Sequence, residues 1–134
     1  MTERSAVEGR DRVLVVDDAA NLRDLLSILL DAEDDFEVVG TAADGAQAIE
    51  AAAALLPDIV LLDLLMPVMD GLQALPRLRE LLPGASIVIF SGFEDAALSP
   101  ETGDAGADAY IEKGVSVTRL VGRLRELRGR PDPA

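Results

Sequence analysis

Two runs of branched apolar residues in this chain carry no polar alternation and stop abruptly at aspartate. Val13-Leu14-Val15-Val16 runs into Asp17-Asp18, and Ile59-Val60-Leu61-Leu62 runs into Asp63. A strand with one wet face alternates apolar and polar residues; a strand covered on both faces does not. These runs therefore predict a parallel sheet sandwiched between helices. Side chains just beyond the carboxyl ends of such strands leave the core and line a crevice. Three carboxylates would converge there, and their mutual repulsion has to be offset by a cation or a chemical task.

The remaining sequence repeats the alternation of strand and helix. Strands are predicted near 12–16, 36–39, 58–62, 86–90 and 108–111. Leu22, Leu25, Leu26, Leu29 and Leu30 form the apolar stripe of a first helix. The second helix opens on Asp44 with Gln47 three residues on, and the third on Asp70 with Gln73, both spaced as capping boxes. The third directs Ala74, Leu75, Leu78, Leu81 and Leu82 inward, and Pro76 inside it is expected to kink it. The fourth helical segment is weak. Glu94 to Leu98 supports a short element, and Ser99-Pro100, Gly103 and Gly106 break any longer pattern. The last helix, capped by Ser116, presents Val117, Leu120, Val121, Leu124 and Leu127 inward and its arginines outward. Five βα units in series imply a doubly wound α/β fold with right-handed crossovers. One such domain spans 12–128, with 1–11 as a disordered lead-in and 129–134 as a flexible tail.

Composition narrows the chemistry. The chain has neither cysteine nor histidine, so thiolate and imidazole ligands are excluded. A net charge of −13 argues against direct nucleic-acid binding, which needs a cationic surface. No apolar stretch approaches a membrane span and the N-terminus is charged, so a cytoplasmic protein is expected. All basic residues but Lys113 are arginine. A compact ammonium suits a crowded anionic site better than a guanidinium does, which gives that lysine weight.

The strand ends collect Asp17, Asp18, Asp63, Ser91 and Lys113. Carboxylates without soft ligands suit a hard, water-keeping cation such as Mg²⁺. A hydroxyl and an ammonium beside them offer a phosphoryl group a donor and a compensating charge. Asp63 then fits a carboxylate nucleophile that forms an aspartyl phosphate.

With these residues in place, the chain closely resembles the receiver domains of two-component response regulators, over about 12–128. The motifs are Val-Val-Asp17-Asp18, Leu-Leu-Asp63-Leu-Leu-Met-Pro67-Val-Met-Asp70-Gly71, Phe-Ser91-Gly92 and Tyr110-Ile-Glu-Lys113. The resemblance implies a flavodoxin-like fold with strand order 2-1-3-4-5. It implies Asp63 as phosphoacceptor, and Mg²⁺ held by Asp17, Asp18, Asp63 and the backbone carbonyl of Leu65. Ser91 and Lys113 would bind the phosphoryl group, and Tyr110 would rotate inward on activation. The implied partners are a histidine kinase or phosphotransfer protein, and an effector reading the surface of the fourth helix, fifth strand and fifth helix. A monomer or weak dimer is expected, with at most weak Mg²⁺-dependent autophosphatase activity.

Two departures stand out. Gly114 replaces the proline common after the lysine, so a trans Lys113–Gly114 peptide is expected. Leu65 and Phe93 are apolar where polar side chains could orient an attacking water, so they are expected to slow hydrolysis of the phosphoryl group. The rival readings are a phosphorylation-independent interaction module and an aspartate-nucleophile phosphohydrolase. The second is disfavoured because Leu65 stands where such enzymes place another carboxylate. A nucleotide or flavin site lacks its glycine-rich loop after the first strand.

Overall fold

The computed structural model describes residues 9–131. Its elements are β1 (Asp11–Val16), α1 (Ala20–Asp31), β2 (Phe36–Ala42), α2 (Gly45–Leu55), β3 (Ile59–Leu62), α3 (Gly71–Leu81), β4 (Ser86–Ser91), a 3₁₀ helix (Phe93–Leu98), α4 (Ser99–Asp104), β5 (Ala109–Glu112) and α5 (Val117–Leu127). The strands form one parallel sheet in the order β2-β1-β3-β4-β5, as the resemblance implied.

Successive strand residues point to opposite faces, and this period divides the core in two. Leu14, Val16, Val60, Leu62, Ile87 and Ile89 meet α2 and α3 through Ala48, Ala52, Ala74, Leu75 and Leu78. Val13, Val15, Ile59, Leu61, Val88 and Phe90 meet α1 and α5 through Leu26, Leu30, Leu120, Val121 and Leu124. Both faces of β1, β3 and β4 are covered, which is why their sequences do not alternate.

Strand β2 extends to Ala42, past its predicted end, because the register slips between Val13 and Leu14. One residue, Val39, falls between the pairs Val13–Val38 and Leu14–Gly40. This bulge lets the edge strand carry on to the functional end of the sheet. Strand β1 begins at Asp11, a residue expected in the lead-in, while residues 1–8 of that lead-in lie outside those described. Of the expected tail, Arg130 is tied down by Asp11 at 2.6 Å, and 132–134 lie outside the described residues.

The helix ends follow their chemistry. Asp70 accepts from the Gln73 backbone N–H at 2.8 Å and Gln73 accepts from the Asp70 N–H at 3.1 Å, a full capping box. At α2, Asp44 caps Gln47, but the Gln47 side chain takes the Ala43 N–H instead. Helix α3 runs through Pro76 without a break in its assignment. The proline ring is exposed, so the Leu72 carbonyl deprived of its partner lies on the wet side of the helix.

Two inward expectations and one outward expectation need correction. Leu25 and Val117 are 50% and 40% exposed, each at the margin of its helix's buried stripe. Arg125, expected outward with the other α5 arginines, is buried among acidic partners. The weak fourth segment is a 3₁₀ helix followed by the six-residue α4. Pro100 opens α4 rather than breaking it, because the first turn of a helix needs no proline N–H.

Candidate functional site

Asp17, Asp63 and Lys113 each lie one step past a strand and are pinned by one further rung of the ladder, while Ser91 is the last residue of β4. The Asp17 N–H donates to the Ala42 carbonyl at 3.0 Å, Asp63 to Val16 at 3.0 Å, and Lys113 to Ser91 at 2.9 Å. Backbone positions set by the sheet leave little for side-chain chance. The carboxylate oxygens of Asp17, Asp18 and Asp63 gather within 4.8 Å of one another. Asp17 and Asp63 are buried and Asp18 faces solvent.

Lys113 enters from the β5 end and joins two of them. Its Nζ lies 2.7 Å from Asp17 Oδ2 and 3.2 Å from Asp63 Oδ2. Burial works against the ammonium charge, but Asp17 and Asp63 outweigh it and hold the lysine above its ordinary range. It is a cation at any physiological pH. Asp63 shows the opposite balance. Burial pushes its carboxyl up, aided by the Asp17 charge, while the Ser91 hydroxyl and Lys113 pull it back only in part. No peptide bond among the described residues is cis, so Lys113 reaches the carboxylates through the trans Lys113–Gly114 peptide expected from the sequence.

Ser91 is fully buried and donates to Asp63 Oδ1 at 2.9 Å. Leu65 follows Asp63 by two residues. Its N–H is 3.4 Å from Asp63 Oδ1, and its side chain is 57% exposed. The Phe93 side chain lies outside those described. Tyr110 lies beside Ser91, within reach of the Asp95 and Asp63 charges. It is half-buried and its hydroxyl donates to the Gly92 carbonyl at 3.2 Å. Burial and the Asp95 charge raise its phenol.

The loop after Asp63 is shaped by backbone contacts. The Gly71 N–H donates to the Leu64 carbonyl at 2.9 Å. The Met69 N–H reaches back to Pro67 at 2.7 Å around Val68, whose φ of 66° is rare for a β-branched residue. Strain of this kind persists only where the surroundings enforce it, and here it lies beside the carboxylate cluster.

Three further residues shape the site. Arg23 donates to the Asp17 carbonyl at 2.7 Å and steadies the turn into α1. Asp95 accepts from the Ser91 hydroxyl at 3.1 Å. Gly71 packs directly on the Asp63 backbone. Of these only Gly71 stood in a sequence motif, beside Asp70; nothing in the sequence marked Arg23 or Asp95.

A family model for the response regulator receiver domain matches residues 13–125. The chemotaxis protein CheY of Thermotoga maritima is 36% identical over 116 residues, covering 87% of this chain and 96% of that protein. A protein-glutamate methylesterase/protein-glutamine glutaminase of Caldanaerobacter subterraneus is 44% identical over 103 residues, which is 76% of this chain and 28% of the relative. The chain thus spans about a quarter to a third of the methylesterase relatives it matches. The crystal structure of the response regulator domain of Thermotoga maritima CheB superposes with a TM-score of 0.78 at 36% identity, covering 92% of this chain and 99% of that one.

Proposed function

The chain belongs to the response regulator receiver domain family, whose members are phosphorylation-dependent switches in two-component signalling, and we propose that Asp63 is its phosphoacceptor. One observation carries this reading: Lys113 and Ser91 hold the two oxygens of a single buried carboxylate from opposite sides. Asp63 Oδ1 or Oδ2 attacks phosphorus in a donor phosphohistidine, the P–N bond breaks, and an acyl phosphate forms. The nucleophile is the Asp63 carboxylate anion, the form that Lys113 and the Ser91 hydroxyl favour against burial. Lys113 and the Ser91 hydroxyl then face the transferred oxygens and offset their charge.

The donor set fits Mg²⁺. Asp17, Asp18 and Asp63 supply hard oxygen ligands, and the exposure of Asp18 leaves room for the waters this ion retains. The Leu65 backbone carbonyl completes the proposed ligand set. When bound, the ion neutralises charge on the phosphoryl oxygens. The activity is that of a switch, with at most slow Mg²⁺-dependent hydrolysis of its own acyl phosphate.

The donor is a histidine kinase or phosphotransfer protein, and the effector reads the face of α4, β5 and α5. Tyr110, half-buried beside that face, is the proposed switch aromatic. No helix among the described residues is long and apolar enough to cross a membrane, and we place the protein in the cytoplasm. No observation favours the phosphorylation-independent alternative.

Incubation with Mg²⁺ and acetyl phosphate tests the assignment. Intact-mass measurement should show a single phosphoryl increment in the native protein and none in Asp63→Asn. An increment that survives in Asp63→Asn would overturn it. The apolar Leu65 gives a second expectation. Leu65→Asn should shorten the phosphoryl lifetime by roughly tenfold, because an amide there can hold an attacking water in line. An unchanged lifetime in a phosphate-release assay would remove Leu65 from this role.

A further inference from the structure

Ser91 has a second acceptor. Its hydroxyl oxygen lies 2.9 Å from Asp63 Oδ1 and 3.1 Å from Asp95 Oδ2, and its one proton can be donated to only one of them at a time. Hydrogen bonds to an ionised carboxylate are among the stronger ones available to a side chain. The competition is therefore between near equals. Asp95 reaches this position because the chain leaves β4 as a 3₁₀ helix, whose first turn closes with the Asp95 N–H on the Gly92 carbonyl at 3.1 Å.

We infer that Asp95 is a positioning residue for the phosphoryl-transfer site, drawing the Ser91 hydroxyl away from Asp63 and so setting how tightly a phosphoryl group is held there. This rests on Asp63 being the phosphoacceptor. In the free protein the Ser91 proton is divided between two carboxylates. A phosphoryl group on Asp63 brings additional anionic oxygens and has to win that proton from Asp95. Once it does, Asp95 loses its side-chain tether to β4. The Gly92 carbonyl that receives the Asp95 N–H also receives the Tyr110 hydroxyl at 3.2 Å, so the loss is felt at the chain's single tyrosine.

The test is the binding of beryllofluoride, a phosphoryl mimic, in the presence of Mg²⁺. It is followed by calorimetry and by Tyr110 fluorescence, unobscured because the chain has no tryptophan. Asp95 is partly exposed, so Asp95→Ala and Asp95→Asn should both fold. Asp95→Ala is expected to tighten binding about fivefold or more, and Asp95→Asn by less, since its amide oxygen still accepts without the charge. In a Ser91→Ala background the same Asp95→Ala change should move affinity by less than about twofold. The mimic should also change Tyr110 fluorescence less in Asp95→Ala than in the native protein. Unchanged or weaker binding in Asp95→Ala overturns the inference, and so does an equal gain when Ser91 is already alanine. Native protein that binds no beryllofluoride, or binds it equally well as Asp63→Asn, overturns the phosphoacceptor assignment itself.

Discussion

Gly71→Ala should destabilise the domain by about 3 kcal/mol and cut the rate of Asp63 phosphorylation roughly a hundredfold. A Cβ at Gly71 would collide with the Asp63 carbonyl oxygen and stand 3.0 Å from both the Asp63 carbonyl carbon and the Leu64 Cα. All three are backbone atoms just beyond the end of β3, so no side chain can swing aside to make room. The clash is relieved either by moving α3 away from the sheet or by shifting Asp63 itself. The first breaks the 2.9 Å bond from the Gly71 N–H to Leu64. The second moves the carboxylate away from Lys113 and Ser91. Gly122→Ala provides the contrast within the same protein. Gly122 lies in the middle of α5, and a Cβ there meets nothing. It should stabilise by about 1 kcal/mol, the ordinary gain of alanine over glycine in a helix. Urea unfolding and acetyl phosphate kinetics on both variants check the pair. A Gly71→Ala protein with native stability and native phosphorylation would mean that Gly71 does not hold the acceptor in place.

The contrast shows what could be read in advance and what could not. The Asp70-Gly71 pair was legible as a helix start, because capping depends on residues three apart. The need for glycine there was not, because it comes from Asp63, eight residues away across a loop. The same division runs through the molecule. Strand ends at Asp17, Asp63 and Ser91 were legible because burial on both faces of a parallel sheet leaves an unbroken apolar run that polar residues terminate. The edge strand β2 was read short because its bulge at Val39 depends on pairing with β1. Lys113 stood out as the lone lysine. Asp95 did not, because an acid in the first turn of a helix ordinarily needs no partner. Its meeting with Ser91 depends on that turn being a 3₁₀ one. The apolar stripe of α5 identified Leu120, Val121 and Leu124, but nothing local indicated that Arg125 would be covered too. Its partners follow α1, ninety residues earlier in the chain.

Arg125→Met should lower stability by about 2 kcal/mol at neutral pH, whereas Arg123→Met, two residues away on the same helix, should stay within about 0.5 kcal/mol. Arg125 is 9% exposed. It contacts Asp35 through Nε at 2.7 Å and Nη2 at 3.0 Å, and Glu33 through Nη2 at 2.6 Å. Its guanidinium also lies 5.8 Å from the Phe36 ring centroid. These bonds tie α5 to the turn between α1 and β2 and cover one edge of the core. Methionine retains most of the packing and removes the charge, leaving two carboxylates facing each other. Asp35 and Glu33 retain some access to water, which keeps the loss below that of a fully buried broken pair. Arg123, by contrast, is 47% exposed on its side chain and pairs with the exposed Glu126 at 3.4 Å. The pH dependence gives the expectation its sign. The Arg125 hydrogen bonds hold the Asp35 carboxyl below the ordinary aspartate range, against the opposing effect of burial. A depressed carboxyl adds stability above the unfolded-state value, near ~3.9, and loses it as pH falls through the folded-state value. The gap between native protein and Arg125→Met should therefore stay constant from neutral pH down to about 4 and close below it. Denaturant titrations across that range measure the gap directly. A gap that persists undiminished into strong acid would show that Arg125 acts through packing on Phe36 rather than through its charge.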